Sequence, residues 1–251
     1  MIEVRELQKI FGQKGKGEKV AVSSVSFTAL DGKVSGLLGP NGAGKTTTLR
    51  MLSTLIEPTK GSARIDGHDI WRDKMQVKRC IGMLSDARGL YTRLTARENI
   101  RYYGNLRGLC GAALDAAIDR IADVIEMKDL LNRRTDGFSQ GERMKVAIAR
   151  ALIHEPRNVI LDEPTNGLDV MTTRSLRGLI RRLRDSGKCV IFSSHIMQEV
   201  SALCDDIVII SHGRVIAQGD APALLALSGK SSLEEAFVAL VGEEESAGVT
   251  E

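Results

Sequence analysis

The chain has 251 residues, of which 43% are hydrophobic and 27% charged, which is typical of a soluble globular protein with room for a sizeable core. The net charge of +3 comes from 35 basic and 32 acidic residues that are interspersed, so the balance gives no case for binding nucleic acid. The four cysteines form no CxxC pair, which argues against a zinc ribbon or a dithiol redox site. No apolar run of about 20 residues is present that could span a bilayer, so we expect a soluble chain.

The hydrophobic pattern predicts strands at both ends of the chain and helices in the middle. The first thirty residues read as two strands split by the turn-rich GQKGKGE. A buried strand is then expected at 33–38, a helix to about Leu55, short strands at 62–66 and 80–84, helices over 92–153, and strands at 158–161, 189–193 and 207–210. The tail GEEESAGVTE is expected to be disordered. This order predicts an α/β fold with a parallel core, an N-terminal antiparallel β region and an inserted all-helical subdomain.

The strongest motif is GPNGAGKTT, which matches G-x-x-x-x-G-K-[ST] between a predicted strand and a predicted helix. Glycines let backbone N–H groups curl around phosphate oxygens, and the following helix points its positive end at them. Lys45 is then expected to reach the β- and γ-phosphates of a nucleotide, and the hydroxyl of Thr46 to bind Mg²⁺. The alternative is an ordinary glycine turn. The expected phosphate-binding residues are Gly39, Pro40, Asn41, Gly42, Ala43, Gly44, Lys45, Thr46 and Thr47.

The segment NVILDE supplies the acidic partner that such a loop needs. Its apolar residues predict a buried strand, and Asp162 and Glu163 follow at its end. Asp162 is expected to hold Mg²⁺ directly or through water. Glu163 is placed to polarise an attacking water as a general base. A strand end followed by a plain turn is the alternative interpretation.

The segment FSQGER predicts the start of a helix. Ser139 is a good N-cap, and Glu142 three residues later makes a capping box. Gly141 does not fit a simple cap, since glycine costs a helix about 1 kcal/mol relative to alanine. The segment is therefore either only a cap or a helix N-terminus kept open for an anion.

Together, GPNGAGKTT, FSQGERMKVAIARAL, VILDEPTNGLD and SSH resemble, in this order and spacing, the nucleotide-binding subunit of an ATP-binding cassette (ABC) transporter. The resemblance covers about residues 1–225. More narrowly, RMLSTLIEPTKG, GLYTRLTARENI and LEEAFVAL resemble the Nat- and Drr-like ATPases of sodium and multidrug export systems. The family fold is that of a P-loop NTPase with a RecA-like parallel core.

The resemblance implies a single ABC ATPase domain. Residues 1–86 and 154–230 would form the core with its antiparallel region, 87–153 the helical signature subdomain, and 231–251 a short C-terminal helix and a disordered tail. In this family two subunits dock head to tail, and each ATP lies between one P-loop and the other chain's signature motif.

Further roles follow from this resemblance. FSQGER occupies the signature position, so Ser139 and the N–H of Gly141 would bind the γ-phosphate held by the opposite chain. Phe11 falls where the family has an aromatic residue that stacks on adenine, although a core phenylalanine is the alternative. Asp169 matches the loop that couples the two sites, and His195 the switch histidine that contacts the γ-phosphate, although a lone histidine is more often structural.

The sequence departs from the family pattern at three positions. Asp86 stands where a glutamine usually contacts Mg²⁺ or the attacking water, and its carboxylate could take a metal-bound water. In the signature, Gln140 replaces the first glycine and Glu142 the terminal glutamine. Because an acid near a γ-phosphate would repel it, Glu142 is expected to point back to its own helix.

The resemblance therefore implies an ATP-hydrolysing subunit, with ATP and Mg²⁺ as cofactors, that powers sodium or drug export. Its partners would be a second ATPase subunit, the same or similar, and integral membrane permease subunits, with no nucleic acid. The chain would be cytoplasmic and held at the inner face of the cell membrane by the permease. A non-transport ABC ATPase acting on DNA, the ribosome or Fe–S assembly is the main alternative, and a small-molecule P-loop kinase is a weaker one.

Overall fold

A computed structural model describes residues 1–13, 16–85 and 89–248 of the chain. Within these residues ten strands form one sheet in the order β5-β4-β1-β2-β10-β9-β3-β8-β7-β6. The strands are β1 (Ile2–Gln13), β2 (Lys16–Ala29), β3 (Val34–Leu38), β4 (Lys60–Ile65), β5 (His68–Asp69), β6 (Ile81–Leu84), β7 (Asn158–Asp162), β8 (Cys189–Ser194), β9 (Asp206–Ser211) and β10 (Arg214–Gly219).

Helices cover both faces of this sheet and fill the middle of the chain. They are α1 (Lys45–Leu52), α2 (Lys74–Cys80), α3 (Ala96–Leu106), α4 (Gly111–Val124), α5 (Gln140–Leu152), α6 (Val170–Asp185), α7 (Met197–Leu203), α8 (Ala221–Ser228) and α9 (Leu233–Gly248), with a 3₁₀ turn at Lys128–Leu130. Among the described residues, no helix combines the length and the apolar character needed to cross a bilayer.

The parallel part of the sheet is the core that positions the site. Strands β9, β3, β8, β7 and β6 run parallel as neighbours, and every residue of β3, β7 and β8 is buried. Short continuous apolar runs such as VSGLL and NVILD are typical of parallel strands covered by helices on both faces. The predicted α/β core is therefore confirmed.

The N-terminal region is antiparallel, as predicted, but its strands are longer than the sequence pattern indicated. β1 pairs with β2 from Ile2 opposite Ala29 to Gln13 opposite Lys16, with irregularities in register along the way. The glycines of GQKGKGE thus do not end the strands early, because β1 and β2 support each other beyond the apolar stretch. Ile2, Leu7 and Val22 on their inner face are fully buried.

The region between β6 and β7 contains helices, as predicted, and no strand within its described part. α3 and α5 both begin with a complete capping box, formed by Thr95 with Glu98 and by Ser139 with Glu142. Their apolar faces, with Ile100, Val146 and Ile148 among others, pack in the same core as the inner face of the parallel strands. The helical insertion is therefore joined to the core by a shared hydrophobic interior.

Several elements differ from the sequence prediction. α1 ends at Leu52, before the expected Leu55, while α2, β10 and α8 were not predicted. The backbone of α9 is helical as far as Gly248, so most of GEEESAGVTE does not form the expected disordered tail. Its glutamates and alanine are good helix formers, which extends a helix that its apolar N-terminal half anchors. The last three residues lie outside the described part.

Candidate functional site

Three of the predicted site segments meet at one edge of the sheet. Strand β8 lies between β3 and β7, and all three run in the same direction. The P-loop follows β3, Glu163 follows β7 and His195 follows β8. Because the carboxyl ends of parallel strands share an edge, the three loops are neighbours, which is the usual place for a ligand in an open α/β sheet.

The loop from Gly39 to Gly44 is shaped by contacts that only glycine allows. A Cβ on Gly39 would lie 2.2 Å from the carbonyl oxygen of Ile210, and Gly44 has φ +103° with the carbonyl of Ala21 at 2.7 Å from its missing Cβ. α1 then begins at Lys45 with no acidic residue in its first turn. Its positive end therefore stays available for an anion.

Lys45 is 95% buried and its ammonium group turns back onto the loop. Nζ donates to the carbonyl oxygens of Gly39 at 2.7 Å and Pro40 at 3.2 Å, and lies 3.5 Å from Oε1 of Glu163. An ammonium group in such a place binds phosphate as a point charge. The ammonium group of Lys45 therefore connects the P-loop with the acidic end of β7.

Asp162 has the environment of a metal-binding carboxylate. Its Oδ1 accepts hydrogen bonds from Oγ of Ser193 at 2.7 Å and Oγ1 of Thr46 at 3.2 Å. Its Oδ2 is buried and has no hydrogen-bond partner in the described part of the chain. Buried carboxylate oxygens are seldom left without a partner, so this atom fits a divalent cation or its bound water.

Magnesium sites in nucleotide-binding proteins use one or two protein oxygens and the phosphates of the substrate. The described residues contain no group of three or more His, Cys, Asp and Glu that could hold a metal by themselves. Thr46 and Asp162 therefore fit a Mg²⁺ ion that the protein and the nucleotide would hold together. Asp86, the third predicted metal residue, lies outside the described residues.

Glu163 is bracketed by two basic side chains. While Oε1 faces Lys45, Oε2 lies 2.9 Å from Nδ1 of His195. Its backbone has φ +45°, a left-handed conformation that costs a residue with a side chain of order 1 kcal/mol. The N–H of Glu163 donates to Oγ of Ser193 at 3.0 Å, which helps to fix this turn. A strained residue held by its neighbours is typical of a functional position.

The N-terminus of α5 forms the expected capping box. Oγ of Ser139 accepts from the N–H of Glu142 at 3.2 Å, and Oε2 of Glu142 accepts from the N–H of Ser139 at 2.8 Å. Arg133 donates to the other carboxylate oxygen of Glu142 at 2.8 Å. The backbone N–H of Ser139 is the main reason that the pKa of Glu142 is lowered. Glu142 therefore points back to its own helix, as the sequence indicated.

Gly141 is required by a neighbouring helix. A Cβ at this position would lie 2.8 Å from Oγ1 of Thr172, in the first turn of α6. Asp169, the N-cap of α6, accepts from the N–H of Thr172 at 2.9 Å and from its hydroxyl at 2.7 Å. The signature segment and the loop that ends at Asp169 are thus packed together. Within the described residues, both lie outside the hydrogen-bonded group around Glu163.

Comparison with known proteins decides the family. The family model described as ABC transporter matches residues 22–166. The ABC transporter ATP-binding protein NatA of Bacillus subtilis (strain 168) is 44% identical over 239 residues, covering 95% of this chain and 97% of the relative. The chain belongs to the ABC transporter family. It is an ATP-binding and ATP-hydrolysing subunit of that family.

Other relatives agree with this assignment. The linearmycin resistance ATP-binding protein LnrL of Bacillus subtilis (strain 168) is 36% identical, over 92% of this chain and 74% of the relative. A solved ATP-binding subunit of an ABC transporter matches with a TM-score of 0.84 at 28% identity, over 96% of this chain and 99% of that chain. A dimeric bacterial ABC transporter cassette matches with a TM-score of 0.79 at 25% identity, over 88% and 98%.

Phe11 of this ABC ATPase is 42% exposed, so it is not the core phenylalanine of the alternative interpretation. It pairs with Lys19 of β2, and the ammonium group of Lys9 lies 5.1 Å from the centre of its ring. Ala21, further along β2, contacts the P-loop at Gly44. The ring is therefore on the strand pair beside the P-loop and is partly exposed to solvent.

Ser193 is a site residue that the sequence analysis did not single out. Its hydroxyl donates to Asp162 and accepts from the N–H of Glu163, so it orients both acids at once. The sequence signal was a serine that follows an apolar run in β8. Such a serine is expected to be buried, as Ser193 is, and a buried hydroxyl needs hydrogen-bond partners. Only the neighbouring strand β7 shows what those partners are.

Proposed function

We propose that this ABC ATPase hydrolyses ATP at the edge formed by β3, β7 and β8, with Glu163 as the general base. The observation that supports this assignment is the continuous group in which Lys45, Glu163 and His195 are joined by contacts of 3.5 Å and 2.9 Å. A carboxylate near a phosphate-binding lysine can accept a proton from water that attacks the γ-phosphate. The histidine on the other oxygen orients that carboxylate.

Lys45 changes partners in this proposal. In the structure its ammonium group contacts the carbonyl oxygens of Gly39 and Pro40 and the carboxylate of Glu163. When ATP binds, the more highly charged phosphates would attract the ammonium group away from Oε1 of Glu163, and this oxygen could then accept a proton from water. The base thus becomes active only when its substrate is in place.

Thr46 and Asp162 would hold Mg²⁺, with Ser193 keeping Asp162 in position. Mg²⁺ neutralises charge that develops on the phosphates during transfer. His195 is 42% exposed on the other side of Glu163 and would contact the γ-phosphate. Phe11 would stack on the adenine ring through its exposed face.

Two chains would close head to tail over two ATP molecules. Ser139 and the N–H of Gly141 would then bind the γ-phosphate held by the opposite chain, because a helix N-terminus with a small residue admits an anion. Asp169 would couple the two sites, from the loop that packs on the signature segment. The related cassette solved as a dimer supports this arrangement.

Membrane permease subunits would dock in a groove between the core and the helical subdomain at 87–153. The groove has a volume of about 860 Å³ and contains exposed apolar side chains of Leu55, Met75 and Leu106. The charged residues that line it are all basic in the described part of the chain: Lys78, Arg79, Arg107 and Arg150. An amphipathic segment with acidic residues fits such a surface.

The cargo of the complete transporter would be sodium or a drug that is exported. Relatives over most of their length are named NatA, linearmycin resistance protein and bacitracin transport protein. The chain would work at the inner face of the cell membrane, where the permease holds it. Glu163 would act as the general base of ATP hydrolysis whatever the cargo is.

Glu163→Gln tests the site. The amide keeps the size of the side chain but cannot accept a proton, so we expect ATP binding within about threefold of wild type and hydrolysis at least ~100-fold slower. A stable ATP-bound dimer should accumulate and be visible by size-exclusion chromatography. Glu57→Gln, which removes an exposed carboxylate elsewhere, should leave all three quantities unchanged. Near-normal turnover in Glu163→Gln would remove Glu163 as the base.

A further inference from the structure

A buried carboxylate lies behind the proposed catalytic pair. Glu199, on α7, is only 4% exposed. Its Oε2 accepts a hydrogen bond from Oγ1 of Thr165 at 2.5 Å and another from Oγ of Ser194 at 3.2 Å. Burying a carboxylate is costly unless hydrogen bonds compensate for lost water, so these contacts must hold for the fold to keep Glu199 there.

The two hydroxyl groups come from the two loops that carry the catalytic pair. Thr165 follows Glu163 in the segment DEPT, and Ser194 precedes His195 at the end of β8. Ser194 also accepts a hydrogen bond from the N–H of Ile196 at 3.0 Å, which closes the turn around His195. Glu199 is therefore a bridge between the Glu163 turn and the His195 turn.

We propose that Glu199 is a positioning residue for ATP hydrolysis. By holding Thr165 and Ser194 together, it fixes the separation of Glu163 and His195, whose side chains lie 2.9 Å apart. This inference rests on the proposed function, in which those two residues are assigned their roles. Glu199 does not reach the reacting atoms and acts through the two loops.

The same bridge connects the catalytic pair with the surface that faces a second chain. Thr165 belongs to the loop that ends at Asp169, and this loop packs against the signature segment: the missing Cβ of Gly167 would lie 2.5 Å from the amide of Gln140. A shift of that loop would pull on Thr165 and, through Glu199, on the His195 turn. Glu199 thereby makes the geometry of Glu163 and His195 depend on where the loop lies.

The test compares variants of Glu199 and Thr165. Glu199→Ala removes both hydrogen bonds, Glu199→Gln keeps an acceptor at the same place, Thr165→Val removes one hydroxyl without changing size, and Thr165→Ser keeps the hydroxyl. Gln198→Ala, an exposed change on the same helix, is the control. For each variant, kcat and KM are measured for Mg·ATP, together with Tm and the Kd for a fluorescent ATP analogue in EDTA.

We expect Glu199→Ala to lower kcat roughly 10–100-fold, since small misplacements of catalytic groups have effects of that size. The Kd for the analogue should stay within about twofold, because the P-loop contacts are untouched. Glu199→Gln should recover a large part of kcat, and Thr165→Val should lower kcat while Thr165→Ser does not. Glu199→Ala/Thr165→Val should be no worse than Glu199→Ala alone, because both changes break one link.

A normal kcat in Glu199→Ala, or losses that multiply in the double variant, would overturn the proposal. The proposal would also be overturned if kcat fell only in proportion to the fraction of protein that still binds the analogue, because that would indicate a purely structural role. If Glu199→Ala does not fold, the Thr165→Val and Thr165→Ser pair decides, and equal kcat values would overturn the proposal. Glu163→Gln is measured alongside: if it hydrolyses ATP normally, the proposed function fails, whereas a loss there with normal Glu199 variants refutes only this inference.

Discussion

At the scale of the residue, the burial of His154 makes the stability of the chain depend on pH. His154 follows α5, and its Nε2 donates to the carbonyl oxygen of Ile81 at the start of β6, at 2.9 Å. Burial lowers the pKa of His154 to about 4, with the charge of Arg107 as the next cause. The folded chain therefore keeps this imidazole neutral over a range in which the unfolded chain binds a proton.

The sign of the effect follows from the two pKa values. Between about pH 6.5, where a histidine in the unfolded chain titrates, and about pH 4, the unfolded state holds the extra proton. The free energy of unfolding should therefore fall as the pH drops through this window. In His154→Gln the amide can still donate to Ile81 but does not titrate, so the fall should be less steep.

Urea unfolding at several pH values between 7 and 4.5 measures this difference directly. Carboxylates titrate in both proteins, so the difference between wild type and His154→Gln isolates the histidine. Parallel curves for the two proteins would show that His154 does not stay neutral in the folded chain. The comparison needs no nucleotide, and it is therefore independent of the proposed site.

At the scale of the element, α5 carries an acid where its family resemblance implies a phosphate. The capping box holds Glu142 against its own helix, and the N–H of Ser139 keeps its pKa below the usual range, so the negative charge persists at neutral pH. Glu142→Gln should keep the capping box, because glutamine also accepts from the N-cap N–H. If the signature segment meets the γ-phosphate as proposed, losing one like charge there should strengthen ATP-dependent dimerisation roughly two- to fivefold at low salt.

Sedimentation of the Glu163→Gln protein with ATP, with and without Glu142→Gln, measures this dimerisation constant. The gain should shrink at about 0.5 M salt, where charges are screened within a few ångströms. Glu235→Gln is a matched control, because Glu235 lies in the first turn of α9 and its carboxylate accepts a hydrogen bond from Oγ of Ser231, while its backbone N–H donates to Oγ of Ser232. A Glu142→Gln dimer no tighter than the control would mean that the signature segment does not meet a phosphate.

The same helix shows what the sequence could and could not predict. The capping box of α5 and the buried runs of β3 and β7 depend on residues close together in the sequence, so the sequence pattern was sufficient to predict them. β10 is only partly buried and depends on pairing with β9 and β2, and such tertiary pairing leaves no local signal. Likewise, sequence motifs were enough to predict the nucleotide-binding residues. The contact with Thr172 that requires Gly141 could not be predicted in this way, because it exists only once α6 is packed on α5.

For the whole molecule, the exposed apolar side chains bear on where the proposed permease would dock. Leu106 lies in the basic groove between the core and the helical region and is 65% exposed. Leu227, on α8, is equally exposed and does not line that groove. The two leucines therefore form a matched pair in residue type and exposure. They differ in whether the proposed permease would cover them.

Leu106→Asp should reduce association with the permease about tenfold or more, because docking would bury a leucine worth roughly 1.5–3 kcal/mol and the groove would gain an acid. Leu227→Asp should associate like wild type, and both variants should keep the ATPase rate of the isolated subunit. Tagged chains produced in the native cells are extracted in mild detergent, and the co-purified multi-span protein is quantified by mass spectrometry. Equal recovery with both variants would place the permease elsewhere on the surface. Recovery of wild-type chain wholly without a multi-span partner would instead favour a non-transport ABC ATPase, while leaving the chemistry at Glu163 as proposed.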